Sequence, residues 1–199
     1  MELVIDSATA ACSAALIDGD RLIDERHEIV GRGHAERLLP MIEELLAGRR
    51  PDRILVDCGP GSFTGVRVGL AAAHGLAIGW RIPLAGYSSM ALLAAASGKN
   101  ELAVALHGGH GQLFVQSYSG DPIAQAGELR SLPPDAAAAA FAAHHVVGNG
   151  AESLVAARGH GEAIDALPRA ADARLLPPSL RDHPVRPIYG RAPDARPMP

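Results

Sequence analysis

Lysine is almost missing from this chain. Lys99 is the single one, within Ser97-Gly98-Lys99-Asn100, a stretch that reads as a linker. A mechanism that needs a lysine to grip phosphate or form a Schiff base has only this poorly placed candidate. Cysteine is nearly as scarce. Two cysteines, Cys12 and Cys58, make neither a disulfide framework nor a four-ligand zinc site. Both lie in apolar, strand-like surroundings, where free cysteine behaves as a small core residue. Positive charge is also short: 18 Lys and Arg against 22 Asp and Glu give a net charge of -4. Nucleic-acid binding rests on neutralising phosphates with basic residues, so this chain is a poor binder of nucleic acid by itself. No apolar run free of charge and glycine approaches the roughly 20 residues of a membrane span. Met1-Glu2-Leu3-Val4-Ile5-Asp6 lacks the basic region of a signal peptide. The expectation is a cytoplasmic protein with no membrane segment.

What is present is apolar bulk. Of 199 residues, 48% are hydrophobic, enough for one sizeable core or two small ones. Leu3 to Ile5, Cys12 to Ile17 and Arg21 to Ile29 read as three strands, the last two joined by the hairpin turn Asp18-Gly19-Asp20. Leu38, Leu39, Ile42, Leu45 and Leu46 fall at helical spacing, with Pro40 inside the helix and Gly48 as its stop. Arg53 to Cys58 and Pro83 to Tyr87 are short strands on either side of a helix from about Val66 to Ile78. Ser88 or Ser89 caps a further helix through Ala96.

After Lys99-Asn100 the pattern restarts. Strands are expected at Leu102 to Leu106, Leu113 to Tyr118 and Ile123 to Leu129. A helix then runs from Pro133 to Ala143, followed by a strand at Val146-Val147 and a helix from Glu152 to Arg158. The reading is an α/β chain of two related β-β-β-α-β-α subdomains, residues 1–98 and 101–199, the second abbreviated. The Pro- and Arg-rich tail from Leu176 to Pro199 can form neither a regular helix nor a central strand.

The run Gly59-Pro60-Gly61-Ser62-Phe63-Thr64-Gly65, between a strand and a helix, has the makings of an anion site. Early helical amides have no internal partner, and glycine lets backbone approach a ligand. Ser62 or Thr64 can cap the helix, and Arg67 could grip a carboxylate or phosphate. The P-loop pattern fails for want of a lysine, and the dinucleotide pattern fails because Gly65 falls one residue late. A tight turn with no ligand has the same composition. The helix behind the loop is small on nearly every side, through Gly65, Gly69, Ala72, Ala73, Gly75, Ala77 and Gly79. Each interior glycine costs about 0.8–1.0 kcal/mol relative to alanine. That cost is tolerated where another backbone comes close, either within the fold or on a partner. Asp6, ending the first strand, could orient a nucleotide-bound cation or accept a turn hydrogen bond. Gly148-Asn149-Gly150 has the look of a second nucleotide-contact loop. His34, His107, His110 and His144-His145 have no acid or cysteine at metal-site spacing, so no metal site is expected.

Gly59 to Leu70 resembles the signature of the TsaB (YeaZ) family of bacterial tRNA threonylcarbamoyladenosine biosynthesis proteins. Met1 to Ile17, Gly33-His34-Ala35-Glu36-Arg37-Leu38-Leu39-Pro40 and Pro83 to Ser89 are similar to that family's opening, first helix and next strand. Pro187 to Ala195 resembles its C-terminus, with Gly190 where a leucine is usual. His107 to Phe114 departs from the family's charged hairpin. The resemblance implies an actin-like or Hsp70-like ATPase (ASKHA) fold of two RNase H-like halves. It also implies a role without independent catalysis, and it makes the metallopeptidase label attached to such proteins misleading. The implied partners are a catalytic paralogue, TsaD, an ATPase, TsaE, and a second copy in a homodimer; tRNA is reached only through the complex. The implied interface lies on two helices: His34, Leu38, Leu39 and Ile42 on the first, and Arg67, Gly69, Leu70, Ala73 and Leu76 on the second. Candidate nucleotide contacts are Asp6, Gly59, Gly61, Ser62, Thr64, Gly148 and Gly150, with ATP or ADP shared at the partner interface. The catalytic paralogue holds metal with two histidines one turn apart. Here His34 is followed at that spacing by Leu38. The competing reading is a free-standing phosphotransferase or ATPase of the same fold; a protease reading has only His34 in its favour.

Overall fold

A computed structural model describes residues 1–190. Three antiparallel strands open it: β1 (Glu2–Asp6), β2 (Ala11–Asp18) and β3 (Arg21–Ile29). Helix α1 (His34–Leu46), β4 (Arg53–Asp57), α2 (Phe63–Trp80), β5 (Leu84–Tyr87) and α3 (Ser89–Ala96) complete the first unit. Its sheet runs β3-β2-β1-β4-β5, with β4 and β5 added in parallel. The second unit repeats the plan with β6 (Glu101–Gly109), β7 (Gln112–Ser119), β8 (Ala124–Gln125), β9 (Arg130–Leu132), α4 (Pro134–Ala140), β10 (His145–Val147), α5 (Ala151–Arg158) and β11 (Glu162–Ile164). Here β10 lies parallel to β6 and β11, while β7 is antiparallel to β6. The architecture is the expected α/β actin-like fold of two related halves.

Period-two patterning explains the layers. On β1, Leu3 and Ile5 point to one face and pack under α1 and α2, while Val4 points to the other. Leu16 and Ile17 divide in the same way on β2. Both faces of β1 and β2 are therefore buried, which is why they read as nearly continuous apolar runs, whereas β3 at the sheet edge is half-buried and charged. The opposite face of the first sheet meets α3, the second sheet and a 3-10 segment, η1 (Ala170–Leu175). Ser88 caps α3, its hydroxyl accepting from the Met90 amide at 3.3 Å.

Three details depart from the sequence expectations. The third strand of the second unit is broken into β8 and β9, both paired to β7, because Gly127 and its neighbours leave the ladder. The helix expected to reach Ala143 ends at Ala140, where Phe141 turns extended (φ -121°, ψ 115°). The three-residue strand β11 has no counterpart in the expectation, being too short to show a period.

The tail does run extended after one 3-10 turn, η2 (Pro178–Leu180), and it returns to the first unit. Gly86 and His183 exchange backbone hydrogen bonds of 2.9 Å each, and the Ile188 amide donates to the Cys58 carbonyl at 2.7 Å. Arg181 pairs with Glu2. The part of the C-terminal resemblance on residues 191–195 lies outside the described residues.

Candidate functional site

The glycine-rich loop closes down on the turn after β1. A Cβ at Gly61 would lie 2.1 Å from the Ala8 carbonyl oxygen, and one at Gly65 would lie 2.1 Å from that of Ser7. The Ser62 amide donates to Ala8 O at 2.6 Å. Ser62 caps α2, its hydroxyl accepting from the Gly65 amide at 3.3 Å. The loop glycines thus admit the chain's own backbone. Gly148 and Gly150 do the same in the second unit, against Ala105 and Leu113.

A cleft of about 870 Å³ opens between the two units beside this loop. One wall carries Thr9, Gly61, Ser62, Phe63 and Arg67; the other carries His107, His110 and Asn149, and Ile188 to Gly190 of the tail form an end. Asn149 Oδ1 accepts from the His107 amide at 3.0 Å, fixing the second wall. The Arg67 guanidinium lies 3.7 Å from the Phe63 ring centroid and donates to the Tyr189 hydroxyl at 3.0 Å. The ionisable side chains on these walls are Arg67, His107, His110 and Tyr189, with no carboxylate among the described residues. Such a wall favours an anion.

Of the candidate nucleotide contacts, only Gly61 and Ser62 line the cleft. Asp6 does not, because it is fully buried. Its Oδ2 accepts from the Tyr87 hydroxyl at 2.9 Å and its Oδ1 from the Ala8 amide at 3.3 Å. Burial pushes its carboxyl up to about 6, against the lowering effect of those two hydrogen bonds. The residue that sequence reasoning missed is Asp57. It ends β4 as Asp6 ends β1, and the two strands run side by side in parallel register. The Gly59 amide and the Ser89 hydroxyl donate to Asp57 Oδ1 at 2.7 and 2.5 Å, while Oδ2 is buried without a partner among the described residues. Burial first, then the charge of Asp6, raises its pKa well above the carboxylate range. The signal was available, since Glu2-Leu3-Val4-Ile5-Asp6 and Arg53-Ile54-Leu55-Val56-Asp57 share one pattern. Burial also pushes the Cys12 and Cys58 thiols up, to about 11 and about 12, so neither is a ready nucleophile.

The two-helix face needs correction. His34, Leu38, Ile42, Gly69, Leu70 and Ala73 are buried within the chain itself and are not presented to a partner. His34 Nε2 sits 3.2 Å from the Ala11 carbonyl. A Cβ at Gly69 would lie 2.4 Å from Ser7 Oγ, so that glycine serves internal packing. Leu76 is half-buried, while Leu39 and Arg67 are exposed. Of the nine interface residues that the resemblance implies, six thus lie on the inner faces of the helices and three do not. The outer face of α2 carries Arg67, Ala71, His74, Gly75, Ile78 and Gly79, with Ile78 77% exposed. Gly75 and Gly79 have nothing within 4 Å of a Cβ.

A solved structure, YeaZ from Pseudomonas aeruginosa, superposes with a TM-score of 0.78 at 30% identity, covering 94% of this chain and 98% of its own. The chain belongs to the TsaB/YeaZ family. The Escherichia coli tRNA threonylcarbamoyladenosine biosynthesis protein TsaB is 34% identical over 128 residues, 60% of this chain and 55% of that protein. The match thus spans about half the length of that relative. An uncharacterized protein of Mycobacterium tuberculosis is 32% identical over 213 residues, covering 98% of this chain and 94% of its own length. The family model of TsaD, tRNA N6-adenosine threonylcarbamoyltransferase, matches residues 26–169. No helix among the described residues is long and apolar enough to cross a membrane.

Proposed function

We propose that this chain acts in tRNA threonylcarbamoyladenosine synthesis as a non-catalytic cytoplasmic subunit. It pairs with a TsaD-like catalytic paralogue, which transfers the threonylcarbamoyl group, and a TsaE-like ATPase joins the pair. Alone it forms a homodimer through the same face, and it meets tRNA only through the complex.

The observation that carries the reading is the outer face of α2. Gly75 and Gly79 have no packing reason inside the fold, yet each weakens the helix by about 0.8–1.0 kcal/mol relative to alanine. Beside the exposed His74 and Ile78, and with Leu39 exposed on the neighbouring α1, they leave room for a second helix pair to lie close. Membership of the TsaB/YeaZ family and the likeness to the TsaD family model support a TsaD-like paralogue as the occupant. The test is reconstitution with the paralogue, the ATPase and tRNA. Threonylcarbamoylation should require this chain and should be lost with Ile78→Arg; transfer that proceeds equally well without the chain sinks the proposal.

The free-standing phosphotransferase reading has less support. Asp6 is sealed from the cleft by Tyr87 and the turn at Ala8, so it cannot reach a nucleotide-bound cation in this arrangement. ATP or ADP, if part of the complex, has its best anion-favouring wall at Arg67 and is shared with the partner. Arg67→Ala should then weaken ADP binding by the reconstituted pair.

A further inference from the structure

The second unit holds a cluster that the first subdomain does not explain. His144 precedes β10, His145 opens it, and Glu162 opens β11 in the parallel register directly opposite His145. One donor atom from each of these three residues lies within 4.8 Å of the others. His145 Nε2 and Glu162 Oε2 are 3.3 Å apart. The two imidazoles meet edge to face, with centroids 5.1 Å apart.

The backbone beneath them is fixed. The Glu162 amide donates to the His144 carbonyl at 2.8 Å. Gly161 takes a φ of +107°, and a Cβ there would meet that carbonyl at 2.8 Å and Arg158 Nη2 at 2.2 Å. Arg158 Nη1 in turn donates to the Phe141 and Ala143 carbonyls at 3.0 and 2.9 Å, holding the approach to His144. Strand pairing, a glycine turn and an arginine clamp thus converge on one corner.

A simple ion pair between His145 and Glu162 leaves the second imidazole unaccounted for. Two imidazoles and a carboxylate are a donor set for a divalent ion of the zinc type, and three protein ligands leave a coordination position open. Zn–N and Zn–O bonds of about 2.0–2.2 Å put neighbouring ligands roughly 3.3 Å apart. The His145–Glu162 pair already has that spacing, and a donor atom of His144 lies within 4.8 Å of both. A recess of about 290 Å³ lies against both histidines, with Lys99 and Glu101 on its walls, and gives the open position access to solvent. Lys99 Nζ lies 4.0 Å from Glu162 Oε2 and would be displaced from the carboxylate by a bound ion.

We propose that His144, His145 and Glu162 bind one divalent transition ion, with an open position facing this recess. The sequence offered no acid near the histidine pair; the fold brings Glu162 from 17 residues beyond His145.

The experiment is calorimetric titration of the tag-free chain with Zn²⁺, alongside His145→Ala and Glu162→Ala. The expected result is one bound equivalent, weakened about tenfold or more by either change, in line with loss of a ligand-shell group. Metal-free melting should show both variants folded as well as the parent, since all three side chains are at least partly exposed. Paramagnetic Co²⁺ should shift or broaden NMR signals of residues 141–147 and 160–164. Absence of stoichiometric Zn²⁺ binding overturns the proposal, as does parent-like affinity in both variants. Co²⁺ effects centred on His107 and His110 do so too.

Discussion

Asp6 and Asp57 set the chemistry at the scale of single residues. Burial raises both carboxyls, and for Asp57 the neighbouring charge of Asp6 adds to the rise. A raised acid stabilises the fold through its neutral form. For Asp6 that stability is fully present below the ordinary aspartate value of 3.8 and is lost as pH rises through about 6. Asp6→Asn keeps an acceptor for the Ala8 amide and removes the titration. It should gain up to about 3 kcal/mol at alkaline pH, from a shift of roughly two units at 1.36 kcal/mol each, and little at acidic pH. Denaturant melts across the range will check this; an equal effect at both ends would mean that folding does not shift the Asp6 carboxyl. Gly69 gives a second prediction. Gly69→Ala should destabilise by about 1–3 kcal/mol despite alanine's helix propensity, because the new methyl meets Ser7 Oγ. Ser7→Gly should relieve most of that loss in the double variant, measured by thermal melting. Which glycines face inward was not legible in the sequence, since Gly69 and Gly75 look alike in a small-residue helix.

At the scale of elements, α1 and α2 each have one face in the core and one outside. Leu38, Met41, Ile42 and Leu45 bury the inner face of α1, each such side chain worth about 1.5–3 kcal/mol. Helical spacing predicted Leu38, Ile42, Leu45 and Leu46 of that stripe, but it took in Leu39, which is exposed, and passed over Met41. It could not say whether the stripe meets the chain's own sheet or another protein, because both surfaces are apolar. Once the inner face is assigned, the outer face of α2 is the one open to a partner. Gly75→Leu should therefore block pairing with the catalytic paralogue while leaving the melting temperature unchanged or higher. Analytical ultracentrifugation and melting together check this, and a parallel loss of stability and pairing would place Gly75 in the core instead.

At the scale of the whole molecule, the tail couples the two units. Residues 170–190 return to the first sheet, bridge β5 at Gly86 and supply Ile188 to Gly190 to the cleft. Truncation after Leu180 removes three of these backbone hydrogen bonds and should cost about 3 kcal/mol, read by chemical denaturation. It should also remove the Tyr189 contact that steadies Arg67. A truncated chain as stable as the parent would show that the tail contributes nothing to the fold.

The sequence by itself determined the two-fold β-β-β-α-β-α plan, because apolar period and turn residues are local properties that repeat visibly. It also determined the glycine-rich loop and the family resemblance carried by Gly59 to Leu70. Tertiary structure alone decided which face of each helix is buried, that Asp6 is sealed while Arg67 lines a cleft, and that Glu162 meets His145. Those depend on contacts between residues far apart in the chain, and no local pattern records which distant backbone a glycine admits or which acid a histidine meets. The loop of Gly59 to Gly65 shows the division. Its composition announced close approach, and only the fold revealed that the approaching group at Gly61 and Gly65 is the turn after β1.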